Sequence, residues 1–221
     1  MHCYNNRMAL NCDKRMFNGD GYFECPPILP IDMDITDAKL IGFNYVHVEK
    51  EPRDKIIHFY LDDYQFDRVW NSPENYLDVL RKYKAVLSPD FSMYEDFPRA
   101  VSLFNHYRKQ WCGAYWQEHG INVIPTVGWT REDSYEYCFE GLPRNALVCI
   151  STLGMFFDKE HRAKFMKGYE VALDVLKPKK ILFYGKLFPE IYVPEGIEYS
   201  VAVNQNIRNL EMKRKKKPKK E

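Results

Sequence analysis

The sequence predicts an α/β protein with a (β/α)-barrel-like fold, complete or incomplete, built on six or seven parallel strands. Short apolar runs alternate with longer segments of helical spacing along most of the 221 residues. Strands that are apolar throughout are typical of a parallel sheet with helices on both faces. Polar residues and glycines follow the runs, as at the strand ends of barrels and of open doubly wound sheets. The open sheet is the alternative, but the similar strand endings and the lack of a glycine-rich dinucleotide turn favour the barrel.

The predicted strands are seven apolar runs, of which the last is the weakest: residues 40–46, 55–61, 85–87, 122–127, 146–150, 180–184 and 197–203. The residues that follow them are polar or small. Asp62-Asp63 follows the second run, Ser88-Pro89-Asp90 the third and Gly128-Trp129 the fourth. Because parallel strands present their carboxyl ends at one edge of a sheet, we expect these endings to lie close together.

Three of the segments between the runs predict helices. Ser72 is the predicted N-cap of the first. Pro98 begins the second and Gly120 ends it, while the third covers residues 158–176. The spacing of apolar residues predicts that one face of the second helix is buried: Val101, Phe104, Tyr107, Trp111, Ala114 and Tyr115.

Composition divides the chain into three parts. Residues 1–39 are irregular, with closely spaced glycines and three prolines that favour turns and extended backbone. Residues 40–204 form the predicted α/β domain, a length that suits a single core. Residues 205–221 are a basic tail.

Charge is unevenly distributed, although the formal net charge is only +1. Residues 213–221 hold seven basic side chains and one acidic one, which leaves 25 basic and 30 acidic residues, a net of −5, in the rest of the chain. The seven are Lys213, Arg214, Lys215, Lys216, Lys217, Lys219 and Lys220. Basic blocks commonly act as interaction tails, so nucleic acid is the predicted partner of this segment. The alternative is a solvated end that keeps the protein in solution.

The six cysteines predict reduced thiols, since the chain is long and has no secretory signal pattern. Cys3, Cys12 and Cys25 are separated by eight and twelve residues. That spacing contains no CxxC pair, so a structural zinc site is not predicted there. No apolar run approaches the roughly 20 residues that span a bilayer, and we expect a cytoplasmic protein without a membrane partner.

Four motifs together resemble a known family. They are residues 59–66 (FYLDDYQF), 88–94 (SPDFSMY), 111–117 (WCGAYWQ) and 123–129 (VIPTVGW). The set resembles family 4417 of the domains of unknown function, which occurs in phages, plasmids and bacterial mobile elements. The resemblance covers roughly residues 35–190, most of the predicted domain. It implies an origin in mobile DNA and a place in the bacterial host cell, and it implies no particular activity.

A second resemblance concerns architecture alone. The order from the fourth strand to the sixth is similar to the second half of queuine-type base-exchange barrels. Those barrels carry Gln-Gly after the corresponding strand and a Cys/His zinc site, whereas this chain has Gly128-Trp129 and no such cysteine cluster. The likeness therefore supports a barrel and not base exchange itself.

Three aspartates at strand ends are the predicted catalytic residues: Asp62, Asp63 and Asp90. Carboxylates that share a partly dry cleft differ in pKa, so one can serve as an acid and the other as a base or nucleophile. They could equally hold Mg²⁺, although the sequence requires no cofactor. The alternative role for each is to form a turn or to cap a helix.

The predicted substrate-binding residues stand at or just after strand ends: Ser92, Thr126, Trp129, Ser151 and Tyr184. Trp129 would offer a flat surface to a base or a sugar, with Tyr94, Tyr115 and Trp116 as further aromatics that could lie near it. The alternative for these side chains is packing in the core, which is favoured for Trp116 because it lies on the stripe of the second helix. His58 lies within a strand run and is predicted to be a buried, hydrogen-bonded histidine. No HExxH, Walker A, GxGxxG or GxSxG motif occurs, which disfavours zinc peptidase, P-loop, nicotinamide and serine hydrolase chemistry.

These features lead to two hypotheses. The first is an enzyme that acts on a nucleobase, nucleotide or sugar-phosphate through the strand-end aspartates. The second is a non-catalytic module that binds DNA or a host protein, with the basic tail as its anchor.

Overall fold

A computed structural model describes residues 11, 17–155 and 159–202. Within these residues the chain is α/β, with eight short strands in two four-stranded parallel sheets and with four α-helices. The basic tail and two of the three N-terminal cysteines, Cys3 and Cys12, lie outside the described residues.

The strands follow the predicted runs closely. The first sheet contains, in spatial order, β1 (Lys39–Gly42), β2 (Lys55–His58), β3 (Ala85–Leu87) and β4 (Val123–Ile124). The second contains β5 (Thr126–Val127), β6 (Leu147–Ser151), β7 (Lys180–Tyr184) and β8 (Glu198–Ala202). All six pairings are parallel, and spatial order equals chain order in both sheets. The described residues thus contain no reversal of strand order, the feature that defines a doubly wound sheet.

Pro125 divides the predicted strand 122–127 into β4 and β5, so the described chain has eight strand segments where six or seven were predicted. Proline has no N–H to donate to a neighbouring strand. Its carbonyl accepts the amide of Cys149 at 2.8 Å, and the next amide, that of Thr126, donates to the Ser88 side-chain oxygen at 2.8 Å. The segment therefore pairs with β3 before Pro125 and with β6 after it.

Two long helices cover the sheets, and two short ones follow β2. They are α1 (Arg68–Asn71), α2 (Leu77–Leu80), α3 (Arg99–Glu118) and α4 (Lys159–Leu176). The first predicted helix is thus broken into short turns, and Ser72 makes no side-chain capping bond there. The long helices agree with the prediction, and Pro98 is the N-cap of α3.

The buried face of α3 differs from the predicted stripe. Val101 and Phe104, both assigned to the apolar face, are 41% and 49% exposed. In their place the helix buries a row of polar side chains: Ser102, Asn105, His106, Lys109 and Gln110. The apolar spacing holds only for the second half of the helix, where Trp111, Ala114 and Tyr115 are buried.

Three apolar clusters form the core. One joins the first sheet to α3, and a second joins the second sheet to α4. The third lies between the two sheets and takes side chains from both of them, among them Leu40, Ile56, Leu87, Ile124, Cys149 and Leu182. The two sheets thus face each other across a common apolar interior.

Residues 17–38 contain no helix or strand but belong to the packed body, since Cys25, Ile28 and Ile35 are buried. Ile35 joins the cluster between the sheets. The Lys180 ammonium, at the start of β7, donates to the Met33 carbonyl at 3.2 Å. This segment therefore covers the amino-terminal end of the strands and leaves the carboxyl-terminal end as the open one. Among the described helices, none is both long and apolar enough to cross a membrane.

Candidate functional site

A cleft of about 1090 Å³ lies at the carboxyl ends of β2, β3, β5 and β6, next to the first turns of α4. Its acidic wall follows β2 and β3 and includes Asp62, Asp90, Glu95 and Asp96. Its aromatic lining includes Tyr60, Tyr94, Phe97 and Trp129. The volume is that of a small-molecule site.

Asp90 stands where β3 leaves the sheet and is partly buried at the inner end of the cleft. Burial raises the pKa of its carboxyl to about 6; the nearby ammonium of Lys109 opposes this rise and the Asp63 carboxylate adds to it. Gly128, after β5, lies beside this carboxylate: a Cβ atom there would stand 3.8 Å from Asp90 Oδ1, at ordinary contact distance.

The Asp63 carboxylate holds the loop that follows β3. It accepts hydrogen bonds from the Ser92 amide at 3.2 Å and from the Ser92 hydroxyl at 2.8 Å. The guanidinium of Arg108 lies 3.6 Å from it and 3.7 Å from the centre of the Phe91 ring. Asp63 thus fixes the segment that follows Asp90.

Asp62 is exposed and lines the cleft, and its carboxylate accepts a hydrogen bond from the Gln65 side chain at 3.3 Å. The structure therefore brings all three predicted aspartates to one rim. Asp62 and Asp90 face the cleft, whereas Asp63 lies behind them, bonded to Ser92.

The floor beneath the cleft is a stack of aromatic and polar side chains that joins the two sheets. The Tyr60 ring stacks on the Tyr184 ring at 4.6 Å, and the Tyr60 hydroxyl lies 3.2 Å from Cys149 Sγ. The Tyr184 hydroxyl lies 3.3 Å from His58 Nε2. Burial lowers the pKa of His58 to about 4, so this histidine is neutral near pH 7. His58 is a buried, hydrogen-bonded residue, as the sequence suggests.

The predicted substrate-binding residues separate into two groups. Ser92, Trp129 and Ser151 line the cleft. Thr126 and Tyr184 do not line the cleft, and both are buried. The Thr126 hydroxyl is bonded to Ser88 at 2.9 Å, and the Tyr184 hydroxyl is bonded to His58 within the floor. Their place within β5 and at the end of β7 turns them toward the interior rather than toward the opening.

Trp129 is held against α4 while part of its ring faces the cleft. Its ring centre lies 5.0 Å from that of Phe165, and Gly168 provides the space into which the indole fits. Tyr94 is 58% exposed at the same rim. Tyr115 and Trp116 are buried in the cluster under α3, the core position that the helix stripe favours for Trp116.

Comparison with known proteins gives a family. The model of a family described as Domain of unknown function (DUF4417) matches residues 17–200. The chain belongs to DUF4417. The match includes every residue of the cleft as well as the irregular segment that precedes β1.

Two relatives of this DUF4417 chain come from mycobacteriophages. It is 37% identical to the Gene 1 protein of Mycobacterium phage L5 over 187 residues, which cover 83% of this chain and 81% of the relative. It is 44% identical to the Gene 1 protein of Mycobacterium phage D29 over 145 residues, 65% of this chain. That match spans about half, 54%, of the D29 protein. No solved structure matches the chain.

Sequence reasoning missed the polar row on α3 of this DUF4417 protein. Lys109 is only 1% exposed, and its Nζ atom has no hydrogen-bond partner among the described residues. Close to it on the helix, the side-chain N–H groups of His106 and Gln110 both donate to the Glu140 carbonyl at 2.9 Å. A signal was present: polar residues at 102, 105, 106 and 109 recur at helical spacing, which marks one face of a helix.

The described cysteines and histidines do not gather into a metal site. Cys25, Cys112, Cys138 and Cys149 are free and buried. In the described ranges, no group of three or more His, Cys, Asp or Glu side chains is arranged to hold a metal ion. Within those ranges, carboxylates of the cleft are the groups that could contact Mg²⁺ carried by a phosphorylated ligand.

Proposed function

We propose that this DUF4417 chain is an enzyme that acts on a nucleobase, nucleotide or sugar-phosphate, with Asp90 as its general acid or base. The observation that carries this proposal is the setting of Asp90: a partly buried carboxyl at the inner end of a cleft, with a pKa of about 6. Acid–base catalysis is most effective when the pKa of the group lies near the working pH. Strongly shifted carboxyls in clefts are characteristic of functional sites.

A second carboxylate supports this role. Asp62 lines the same cleft but is exposed, so the two aspartates occupy different environments. Two carboxylates in unlike settings can divide the work of acid and of base or nucleophile, the pattern used in glycosyl-bond chemistry. Asp63 would then have an indirect role, because its hydrogen bonds to Ser92 hold the loop that carries Asp90.

The aromatic lining supports a flat or ring-shaped ligand. Tyr60, Tyr94 and Trp129 present ring surfaces to the cleft, which suit stacking on a nucleobase or packing against a sugar ring. Hydroxyls of Ser92 and Ser151 stand beside them as hydrogen-bonding groups. The acidic wall favours an uncharged ring, or a phosphate that arrives with Mg²⁺.

We also infer that the two sheets work as one incomplete barrel of the (β/α) type. Three observations support this reading: strand order follows chain order in both sheets, one apolar cluster takes side chains from both, and Tyr60 and Tyr184 bond across to Cys149 and His58 of the opposite sheet. A cleft at the carboxyl ends of the strands is where barrel enzymes hold their active sites.

The phage relatives supply a setting. Both are called Gene 1 protein, a name that states no activity. We infer a protein of phage or mobile-element origin that works in the bacterial host cell. Its substrate would then be drawn from the nucleotides and sugars of that cell.

The basic tail favours a second candidate function, a non-catalytic module that binds DNA or a host protein. Residues 213–221 carry seven cations and one anion. Such a segment attracts polyanions without sequence preference. In this case the cleft would hold no reacting ligand.

The test is a turnover screen of the purified full chain with nucleosides, nucleotides and sugar phosphates, each with and without Mg²⁺, in which chromatography follows the release of free base and phosphate. We expect one class to be converted. Asp90→Asn should lower kcat/KM for that class at least about 100-fold, the usual contribution of an acid or base. Asp78→Asn, an exposed aspartate paired with Arg81, is the matched control and should leave kcat/KM unchanged.

Two results would overturn the proposal. One is an Asp90→Asn variant as active as the wild type, which would remove Asp90 as the general acid or base. The other is a wild-type chain that converts none of these classes while it binds duplex DNA, which would establish the binding module.

A further inference from the structure

We propose that the cleft selects its ligand by charge: it takes a nucleoside whose base is positively charged, and it rejects the 5′-phosphate of a nucleotide. The inference names the substrate class of the proposed function and rests on that function for its catalytic meaning. It draws on the charges of the cleft wall, the positions of the nearby arginines, the aromatic rings of the lining and one unpartnered hydroxyl.

The wall of the cleft is rich in negative charge. Four acidic side chains line it: Asp62, Asp90, Glu95 and Asp96. The basic side chains in the described lining are His161 and Lys164, both from α4. The Lys164 ammonium is shared between Glu95 at 3.0 Å and Glu160 at 3.5 Å. A cleft lined mainly by one sign of charge focuses its field on the ligand, so this wall attracts a cation and repels a phosphate.

Arginine, the side chain best suited to bind a phosphate, is absent from the described lining. Two arginines contact lining residues from outside the cleft, and both are bonded to other protein groups. Arg108 pairs with Asp67 at 3.2 Å. Arg131 donates to the Glu95 carbonyl at 2.6 Å and pairs with Asp133 at 3.2 Å. Neither guanidinium is therefore placed to hold a phosphate in the cleft.

The aromatic rings of the cleft suit a positively charged ligand. A cation over the face of a tryptophan or tyrosine ring is attracted by the π electrons, and a flat cation can also stack on the ring. Tyr60, Tyr94 and Trp129 line the cleft. The described arginines lie over other rings, as Arg108 does over Phe91 at 3.7 Å, and none lies over these three. The three rings thus remain available to a cation that the ligand supplies.

One hydroxyl of the lining lacks a partner within the described chain. Thr130 lines the cleft next to Trp129, and its Oγ1 atom is buried without a hydrogen-bond partner among the described residues. A buried polar atom without a partner costs free energy, so this hydroxyl is suited to a hydrogen bond with the ligand. The cleft therefore combines ring surfaces, negative charge and a hydrogen-bonding group, which together match a cationic base.

The experiment compares ligands that differ in charge, by isothermal titration calorimetry of the full chain in EDTA and again with Mg²⁺. The probes are 1-methyladenosine, whose base is positively charged at neutral pH, its neutral isomer N6-methyladenosine, and N6-methyladenosine 5′-monophosphate. We expect 1-methyladenosine to bind about 5- to 30-fold tighter than its isomer, the range of a cation on an aromatic ring. The monophosphate should bind at least about fivefold more weakly than its nucleoside, because the acidic wall repels it.

A charge-reversal variant tests whether the selection arises in the cleft. Asp96 is exposed on the wall, and Asp96→Lys should reduce both affinity ratios at least about twofold. Glu195→Lys is the matched control, since Glu195 is exposed in the turn before β8 and does not line the cleft. Both variants change the net charge of the chain equally, and the control should keep the ratios of the wild type.

Three results would overturn the proposal. The first is 1-methyladenosine that binds no tighter than its isomer. The second is a monophosphate that binds as tightly as its nucleoside, with or without Mg²⁺. The third is an Asp96→Lys protein with the same ratios as Glu195→Lys.

These binding measurements need no turnover, so they fail separately from the proposed enzyme. A chain that converts a nucleotide but shows no preference for the cation removes this inference alone. A chain that shows the preference but converts no substrate class removes the enzyme alone.

Discussion

Ser92 donates both its backbone amide and its hydroxyl to the carboxylate of Asp63, at 3.2 and 2.8 Å. Asp63 follows β2, and Ser92 comes two residues after Asp90, beyond the end of β3. The Asp63–Ser92 bonds join the ends of β2 and β3 at the edge of the cleft. The Asn105 side chain of α3 secures the same segment by donating to the Ser92 carbonyl at 2.5 Å.

Removing this junction should cost stability. Asp63→Asn leaves the Ser92 amide or hydroxyl with a weaker, uncharged acceptor, and we expect a loss of about 1 to 2 kcal/mol in the free energy of unfolding, measured in urea. Asp62→Asn is the control: the residue is exposed, and its change should stay within about 0.5 kcal/mol. Equal losses for the two variants would show that the Asp63–Ser92 bonds contribute nothing specific.

Asp90→Asn should stabilise the folded protein at neutral pH. The pKa of Asp90 is raised from 3.8 to about 6, so between these values the folded state binds more protons than the unfolded state. The stability of the wild type therefore falls as pH rises through this window, while asparagine does not titrate. We expect the variant to gain about 2 kcal/mol over the wild type at pH 7.5 and almost nothing at pH 4. Chemical unfolding at both pH values tests this prediction. A variant that is less stable than the wild type at pH 7.5 would make Asp90 a structural turn residue.

Gly168→Ala should destabilise the protein although alanine favours helices. A methyl group at this position of α4 would overlap the indole of Trp129. An unobstructed glycine-to-alanine change gains up to about 1 kcal/mol in a helix, whereas forced overpacking costs about 1 to 3 kcal/mol. Thermal unfolding should show a lower Tm, and adding Trp129→Phe should recover part of it. A Tm above that of the wild type would mean that Trp129 moves aside freely.

Removal of residues 213–221 should weaken binding to duplex DNA. Each phosphate that the tail neutralises contributes about −0.9 to the slope of log affinity against log salt. The rest of the chain has a net charge of −5, so its attraction for DNA should be small. We expect the truncated protein to show a flatter slope and lower affinity for all sequences alike. Equal slopes for the two proteins would leave the tail as a solubilising segment.

The strands were predictable because burial on both faces leaves a plain apolar run. Residues 85–87 and 180–184 were located to the residue. The predicted runs 40–46 and 55–61 were too long, because mostly apolar residues continue each of them beyond the strand ends at 42 and 58. Proline has no backbone N–H to donate, which was a reason to divide strand 122–127 at Pro125. Which neighbouring strand each half pairs with, however, depends on the fold of the whole chain.

The face of α3 was harder to predict, for a physical reason. Hydrophobic spacing locates a buried face only where the buried residues are apolar. Here Lys109 and Gln110 are buried although both are polar, and Phe104 is exposed. The Gln110 side chain donates to the carbonyl of Glu140, a residue far away in the sequence. Similarly, the three aspartates were found from their place after strands, but only the contact between Asp63 and Ser92 separates the supporting carboxylate from the two that face the cleft.

Pro125 also bears on how the two sheets are held together. On either side of it the sheets are held by continuous ladders, but across it β3 meets β5 through the Ser88 and Thr126 side chains. The two sheets are therefore joined at this point by side chains and by the Pro125 carbonyl rather than by one continuous strand ladder. Val127 and Gly128, which line the cleft, follow directly, so the shape of the cleft depends on how these few bonds hold the two sheets together.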